Sequence, residues 1–285
     1  MTGDHRLVAA INQRTAAGLT VTGRAEFGEL GGAIYVRWPD GRPGVVTRFL
    51  GSPAEAERTA EVLCYVRARG LPVPRHELVV DLPDGVVFVQ ERLPAAPPRP
   101  LTAARIDAMV KINDRFAYAL RGLPPDVPRV PRVPPRRGPM PVLPGPRARR
   151  VLDEIRRIGP LEMTGDDLVH VDLTAANVLF DEQDNATAVV DWNLGAYRGD
   201  RLFALVKTRF DREWFVRSPT ADPVENAAAA HLDEILADRI APETLRRYWA
   251  HWLHYQLRFA TRPEVIDWHL DLAESRLGLP RSTVQ

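Results

Sequence analysis

Four polar side chains in the middle of the chain, His170, Asp172, Asn177 and Asp191, have the types and order that phosphoryl transfer needs. They sit in Leu168-Val169-His170-Val171-Asp172-Leu173-Thr174-Ala175-Ala176-Asn177-Val178-Leu179-Phe180 and, after the polar turn Asp181-Glu182-Gln183-Asp184-Asn185, in Ala188-Val189-Val190-Asp191-Trp192. One carboxylate must accept or orient the proton of an attacking hydroxyl. A side-chain amide and a second carboxylate must offer oxygens to Mg2+, a hard cation that prefers oxygen ligands. Singly, each residue has a plainer reading: Asp and Asn beside a turn are commonly caps, and a His in an apolar run is commonly a core residue. Together, in this order and between two strands, they favour the chemical reading.

Two short strands around a turn need a scaffold to hold them. Upstream, Leu7 to Arg14 has apolar residues at helical spacing. Leu19 to Thr22, Ala33 to Trp38 and Val45 to Leu50 read as strands, with Pro39 to Gly44 as turn chemistry between the last two. The period then changes to helical over residues 53–69, with Ser52 as N-cap, Pro53 in the first turn, and Gly70 and Pro72 as stops. His76 to Asp81 and Val86 to Gln90 are two further strands around Pro83-Asp84-Gly85. Residues 1–94 therefore form a small antiparallel β-rich lobe.

Residues 95–285 form a larger, mainly helical lobe, so the class is α+β and two-lobed. Helices are expected from about Thr102 to Leu120, from Arg147 to Ile158, and over Val224–Asp238, Pro242–Phe259 and Pro263–Gly278. Between the first two, Pro124 to Pro146 holds ten prolines, which exclude a helix or central strand. Residues 121–150 carry eight arginines and one carboxylate, Asp126, and read as an extended surface segment.

The run from His170 to Leu179 with Val190-Asp191-Trp192 resembles the signature of the aminoglycoside phosphotransferase family. The resemblance implies a protein-kinase-like fold and an enzyme, a kinase transferring phosphate from ATP or GTP, with Mg2+, to a small-molecule hydroxyl. It implies Asp172 as catalytic base, Asn177 and Asp191 as metal ligands, and His170 as a structural support of the loop. The N-terminal half fits too. Gly23 to Gly32 lies where the family's nucleotide loop lies, and Leu71-Pro72-Val73-Pro74 resembles its turn after the first helix. Phe88-Val89-Gln90-Glu91-Arg92-Leu93-Pro94 resembles the hinge, where backbone groups of Glu91 and Leu93 would hold a purine edge beside Gln90.

Departures from the family pattern are specific. Val171 stands where Gly is more usual, and Arg201 follows Gly199-Asp200 where Pro is usual. The family places Lys on the third strand, yet the only lysines are Lys111 and Lys207, against 36 arginines. Arg48 is the one cation in that register, with Glu57 or Glu61 as its helix partner, Glu57 preferred. Arginine can bind phosphate oxygens bidentately but is not equivalent to lysine.

Composition narrows the rest. The 285 residues carry 38 Lys plus Arg against 37 Asp plus Glu, which excludes the basic excess of a nucleic-acid or membrane-surface protein. One Cys excludes a disulfide framework or multi-Cys metal site. With no apolar leader and no run of about 18 apolar residues, a cytoplasmic protein is expected. Residues 151–200 hold eleven carboxylates and three arginines, an excess that would attract a cationic acceptor, with a solvated acidic surface as the alternative. Asp200, Asp211, Glu213 and Trp214 are the candidate acceptor contacts. Within the family this leans towards a basic antibiotic, either an aminoglycoside or a viomycin/capreomycin-type peptide, and hence towards antibiotic resistance. The alternatives are a kinase of a small metabolite such as homoserine, choline or a thio-sugar, or a pseudokinase that binds nucleotide without turnover.

Overall fold

The computed structural model describes residues 3–25, 32–96, 99–124, 126–130, 143, 145–160 and 162–280. Most of the glycine-rich nucleotide-loop candidate (26–31) and of the Pro/Arg segment (131–142) therefore lies outside the described residues.

The first lobe runs α1 (Gly3–Thr15), β1 (Thr20–Arg24), β2 (Ile34–Arg37), β3 (Pro43–Arg48), α2 (Pro53–Arg67), β4 (His76–Leu82) and β5 (Gly85–Glu91). Its strands form one antiparallel sheet in the order β1-β2-β3-β5-β4. Side chains alternate across a strand, so the register assigns each residue to a face. Val46 pairs with Val89 and packs, with Ile34, Val36 and Val87, against Val8 and Ile11 of α1. Phe88 lies on the opposite face, against Ala56 of α2. The start of α2 is closed by a capping box in which Ser52 and Glu55 satisfy each other's backbone N–H, with Pro53 in the first turn.

The second lobe runs α3 (Ala103–Asp114), α4 (Pro146–Ile158), β6 (Asp167–Val169), β7 (Val178–Phe180), β8 (Ala186–Val189), β9 (Tyr197–Gly199), α5 (Leu202–Val216), α6 (Pro223–Arg239), α7 (Pro242–Leu257) and α8 (Pro263–Arg276). Strand β6 pairs with β9 and β7 with β8, both antiparallel. One apolar core joins these helices to Val62, Leu63 and Val66 of α2 and Val73 beyond it. Helix α2 thus packs its Ala56 end on the sheet and its C-terminal half on the helical lobe.

Two sequence expectations are corrected. Helix α3 ends at Asp114 rather than running to Leu120, because the α-helical ladder gives way there to single turns, such as Phe116 N–H to the Asn113 carbonyl, and to bonds with the chain at β6. Leu168 N–H donates to the Phe116 carbonyl, Leu120 N–H to that of Asp166, and Tyr118, at φ 53°, gives its N–H to Asp167 Oδ1. Asp191 lies beyond β8, which stops at Val189, and has φ 63°, a left-handed conformation that Asp tolerates better than most residues.

Candidate active site

Between β6 and β7 the chain passes through His170, Asp172 and a single 3-10 turn, Ala175–Asn177. His170 is almost fully buried, its ring edge-on to Trp192 at 4.4 Å. Its Nε2–H faces the carbonyls of Val190 (3.0 Å) and Asp191 (3.2 Å), and its Nδ1 accepts the Asp172 N–H (3.2 Å). This pattern selects the neutral Nε2–H tautomer, and burial lowers the His170 pKa to about 4. His170 therefore clamps the loop bearing Asp172 to the one bearing Asp191 as a neutral strut.

Asn177 closes the same loop from its other end. Its Nδ2 donates to the Asp172 carbonyl (2.8 Å) and Oδ2 (3.3 Å), while its carbonyl accepts the Val190 N–H (2.9 Å). With both short-range donors directed at Asp172, its Oδ1 is the oxygen left for a ligand. The Asp191 Oδ1 is buried without a hydrogen-bond partner among the described residues. Burial raises the Asp191 pKa, and the nearby Asp172 charge raises it further. A buried carboxylate oxygen with no donor suits a cation, so Asn177 and Asp191 fit a Mg2+ ion. Among the described residues no three His, Cys, Asp or Glu side chains cluster as a metal cage.

One member of the site was not assigned from sequence. Lys207 of α5 places Nζ 2.9 Å from Asp172 Oδ1 and 3.4 Å from Asp211 Oδ1, one helical turn away. Burial pulls the ammonium pKa down, but the charges of Asp211 and Asp172 outweigh it and raise it. Its Nζ also lies 5.8 Å from the Trp252 ring centroid. From there an aromatic stripe continues along and beyond α7 through Tyr255 and Phe259, both exposed. The available signal was its rarity as one of two lysines. Sequence position alone could not bring α5 onto the loop.

The nucleotide side differs from expectation. Arg48 pairs with Val87 in register and shares Val46's face, beside α1; its exposed guanidinium bonds the Asp84 carbonyl at 3.3 Å. Glu57 is exposed on α2. The proposed Arg48–Glu57 pair is corrected: strand alternation puts Arg48 on the wrong side of the sheet. The residue on Phe88's face is Thr47, whose hydroxyl is buried without a partner. Gln90 is buried on that face, its Oε1 likewise unpartnered. Glu91 is engaged in structure: its carboxylate accepts from the Arg75 N–H and pairs with Arg67 at 2.6 Å, and its own N–H donates to the Arg75 carbonyl. Of the two hinge residues, that leaves the Glu91 carbonyl and the backbone of half-exposed Leu93 for a base edge.

No protein-family model matches the sequence, and no curated protein does. Solved structures do match along nearly the whole chain. A thermostable mutant of the aminoglycoside phosphotransferase APH(4)-Ia, in ternary complex with ADP and hygromycin B, superposes with a TM-score of 0.63 at 16% identity. That match covers 99% of this chain and 100% of that one. An aminoglycoside phosphotransferase from Alicyclobacillus acidocaldarius gives 0.55 at 13% identity, covering 95% and 92%. The fold is that of the aminoglycoside phosphotransferases.

On the aminoglycoside phosphotransferase fold, the acceptor candidates separate. Asp211 reaches the site through Lys207. Asp200 instead is held just before α5, with Oδ1 accepting the Leu202 N–H and Oδ2 the Tyr248 hydroxyl at 2.7 Å. Glu213 is buried against Arg209 at 2.7 Å. Trp214 is exposed and edge-on to Trp268 at 4.7 Å. Part of the acidic excess of residues 151–200 is taken up by ion pairs. Asp153, Glu154, Asp166, Asp167 and Asp184 are paired with arginines, several from outside that segment. Arg201, the departure after Gly199-Asp200, joins this network by bonding Asp167 and Asp114 at 3.0 and 3.1 Å.

Proposed function

We propose that this chain is a nucleoside-triphosphate-dependent O-phosphotransferase, with residues 1–94 as nucleotide lobe and residues 95–285 as catalytic and acceptor lobe. The observation that carries the reading is the knot formed by Asp172, Asn177, His170 and the Asp191 loop. Asp172 is the group that takes the acceptor proton, held at a fixed height by Asn177 and by the His170 bond to its N–H. Mg2+ bound by Asn177 Oδ1 and Asp191 would neutralise charge on the triphosphate. Gln90, the Glu91 carbonyl and Leu93 form the base-binding edge. Arg48 and Glu57 are withdrawn from it, and Thr47 faces it.

For the acceptor we propose a cationic small molecule of the antibiotic class, aminoglycoside or viomycin/capreomycin-type peptide, whose phosphorylation would confer resistance. The local acidic excess gives this less support, since arginines pair with five of the eleven carboxylates. Support comes from Asp211, from the exposed aromatic faces of Tyr255 and Phe259, which attract cations, and from the hygromycin B bound by the structural neighbour. A pseudokinase is the second reading, favoured by the uncharged Thr47 at the strand position facing the cleft. Incubation with γ-labelled ATP or GTP, Mg2+ and a panel of basic antibiotics tests both. Label in a small product supports transfer, and bound nucleotide without product across the panel favours the pseudokinase.

A further inference from the structure

The site holds one cation that the signature residues do not account for. Lys207 Nζ touches Asp172 and Asp211 together, and among the described residues it is the only basic side chain paired with Asp172. A buried ammonium loses solvation, and a purely structural pair here could be made by arginine, which the chain uses everywhere but at two positions. An ammonium differs in one useful way: it presents three donors about a single point. Two are directed at Asp172 and Asp211, and among the described residues no group takes the third, which can meet a ligand oxygen.

Reach defines that ligand. An acceptor hydroxyl held by Asp172 lies about 3 Å from the carboxylate, and the phosphorus it attacks lies about 3–3.5 Å beyond. With the ammonium 2.9 Å from Asp172 Oδ1 and on the acceptor's side of it, oxygens on that phosphorus come within its hydrogen-bonding range. The face of β3 towards the cleft offers no competing cation, since Arg48 points away.

We infer that Lys207 is a catalytic residue that stabilises the phosphoryl group in flight. The step balances without an added reagent. The acceptor O–H proton passes to Asp172, the acceptor oxygen–phosphorus bond forms, and the β–γ bridging oxygen–phosphorus bond breaks. The nucleoside diphosphate leaves with that electron pair, and Lys207 stays protonated throughout. This inference rests on the phosphotransferase reading.

The test uses the full chain with Mg2+ and compares the affinity for ADP with that for ADP plus aluminium fluoride, a mimic of the transferring phosphoryl group. Expected for Lys207→Met is a loss of about 100-fold against the fluoride complex, with ADP affinity changed less than about threefold, as for removal of one transition-state donor. Lys207→Arg should recover part of the loss, because charge is kept. Equal affinities of wild type and Lys207→Met for the fluoride complex would overturn the role, and so would parallel losses for both ligands. Should Lys207→Met fail to fold, Lys207→Gln is read by the same criteria. A wild-type chain that binds neither ligand instead overturns the phosphotransferase reading itself.

Discussion

Asn177 Nδ2 lies 2.8 Å from the main-chain carbonyl of Asp172 and 3.3 Å from its Oδ2. Its nitrogen fixes the loop, and on the proposed reading its oxygen is the one that would meet the cation. Asn177→Asp removes the donor and sets a second negative charge beside Asp172. The expected result is a loss of about 100-fold or more in kcat, with destabilisation of about 1–3 kcal/mol for the lost buried bonds. Steady-state kinetics and urea unfolding check the two parts separately. Retained turnover in this variant would remove Asn177 from the site.

Asp172→Asn keeps the shape and the Asn177 contacts but cannot take a proton. General-base loss predicts a fall in kcat of about 10²–10⁴-fold. Lys207 then keeps only Asp211 as a full charge partner, so a modest change in melting temperature is expected alongside. Near-normal turnover would show that the base is another group.

The two neighbours on β3 should behave oppositely to a simple reading of charge. Arg48→Ala is expected to leave nucleotide affinity within about twofold, because an exposed side chain on the α1 face contributes little. Thr47→Val removes a buried hydroxyl that has no partner and keeps the volume, so stability is expected to hold or rise by up to about 1 kcal/mol. If the hydroxyl instead meets nucleotide, Thr47→Val weakens binding while Arg48→Ala does not. Titration with labelled nucleotide separates these outcomes.

What was legible in the sequence follows from range. The strands of the sheet and the helix capped at Ser52 are written in local signals: alternation, a capping box, Pro53, turn residues. The loop from His170 to Asn177 is equally local, and its bonds span at most a neighbouring turn and strand. Lys207 and Arg48 are different, because their roles depend on which face of which element meets the cleft. A slip of one residue on a strand reverses the face, and Thr47 rather than Arg48 therefore looks inward. The acidic count misled for the same reason: arginines from outside the counted segment, Arg105, Arg201 and Arg246 among them, fold back onto it.

Acid should unfold this protein through its buried histidines. Burial lowers His170 and His76 to about 4 and His251 to about 3, against an ordinary value of 6.5. Between about pH 6.5 and 4 the unfolded chain therefore binds protons that the native state refuses, so stability falls as pH falls. Above pH 6.5 both states are neutral at these positions and the contribution is constant. Each histidine supplies at most about 3 kcal/mol to the loss. Asp191 acts in the opposite sense, since its raised pKa makes the native state the better proton acceptor, but it is one group against five, because burial lowers His254 and His269 as well. Thermal melts should be nearly flat from pH 8 to 7 and drop steeply from pH 6 to 4.5. His251→Leu, which replaces an imidazole packed among Phe203 and Trp252, should make that drop shallower. A melting temperature that stays level down to pH 4.5 would mean that these rings take up protons in the native state without resistance, and His170 could not then be the neutral strut that joins the Asp172 and Asp191 loops.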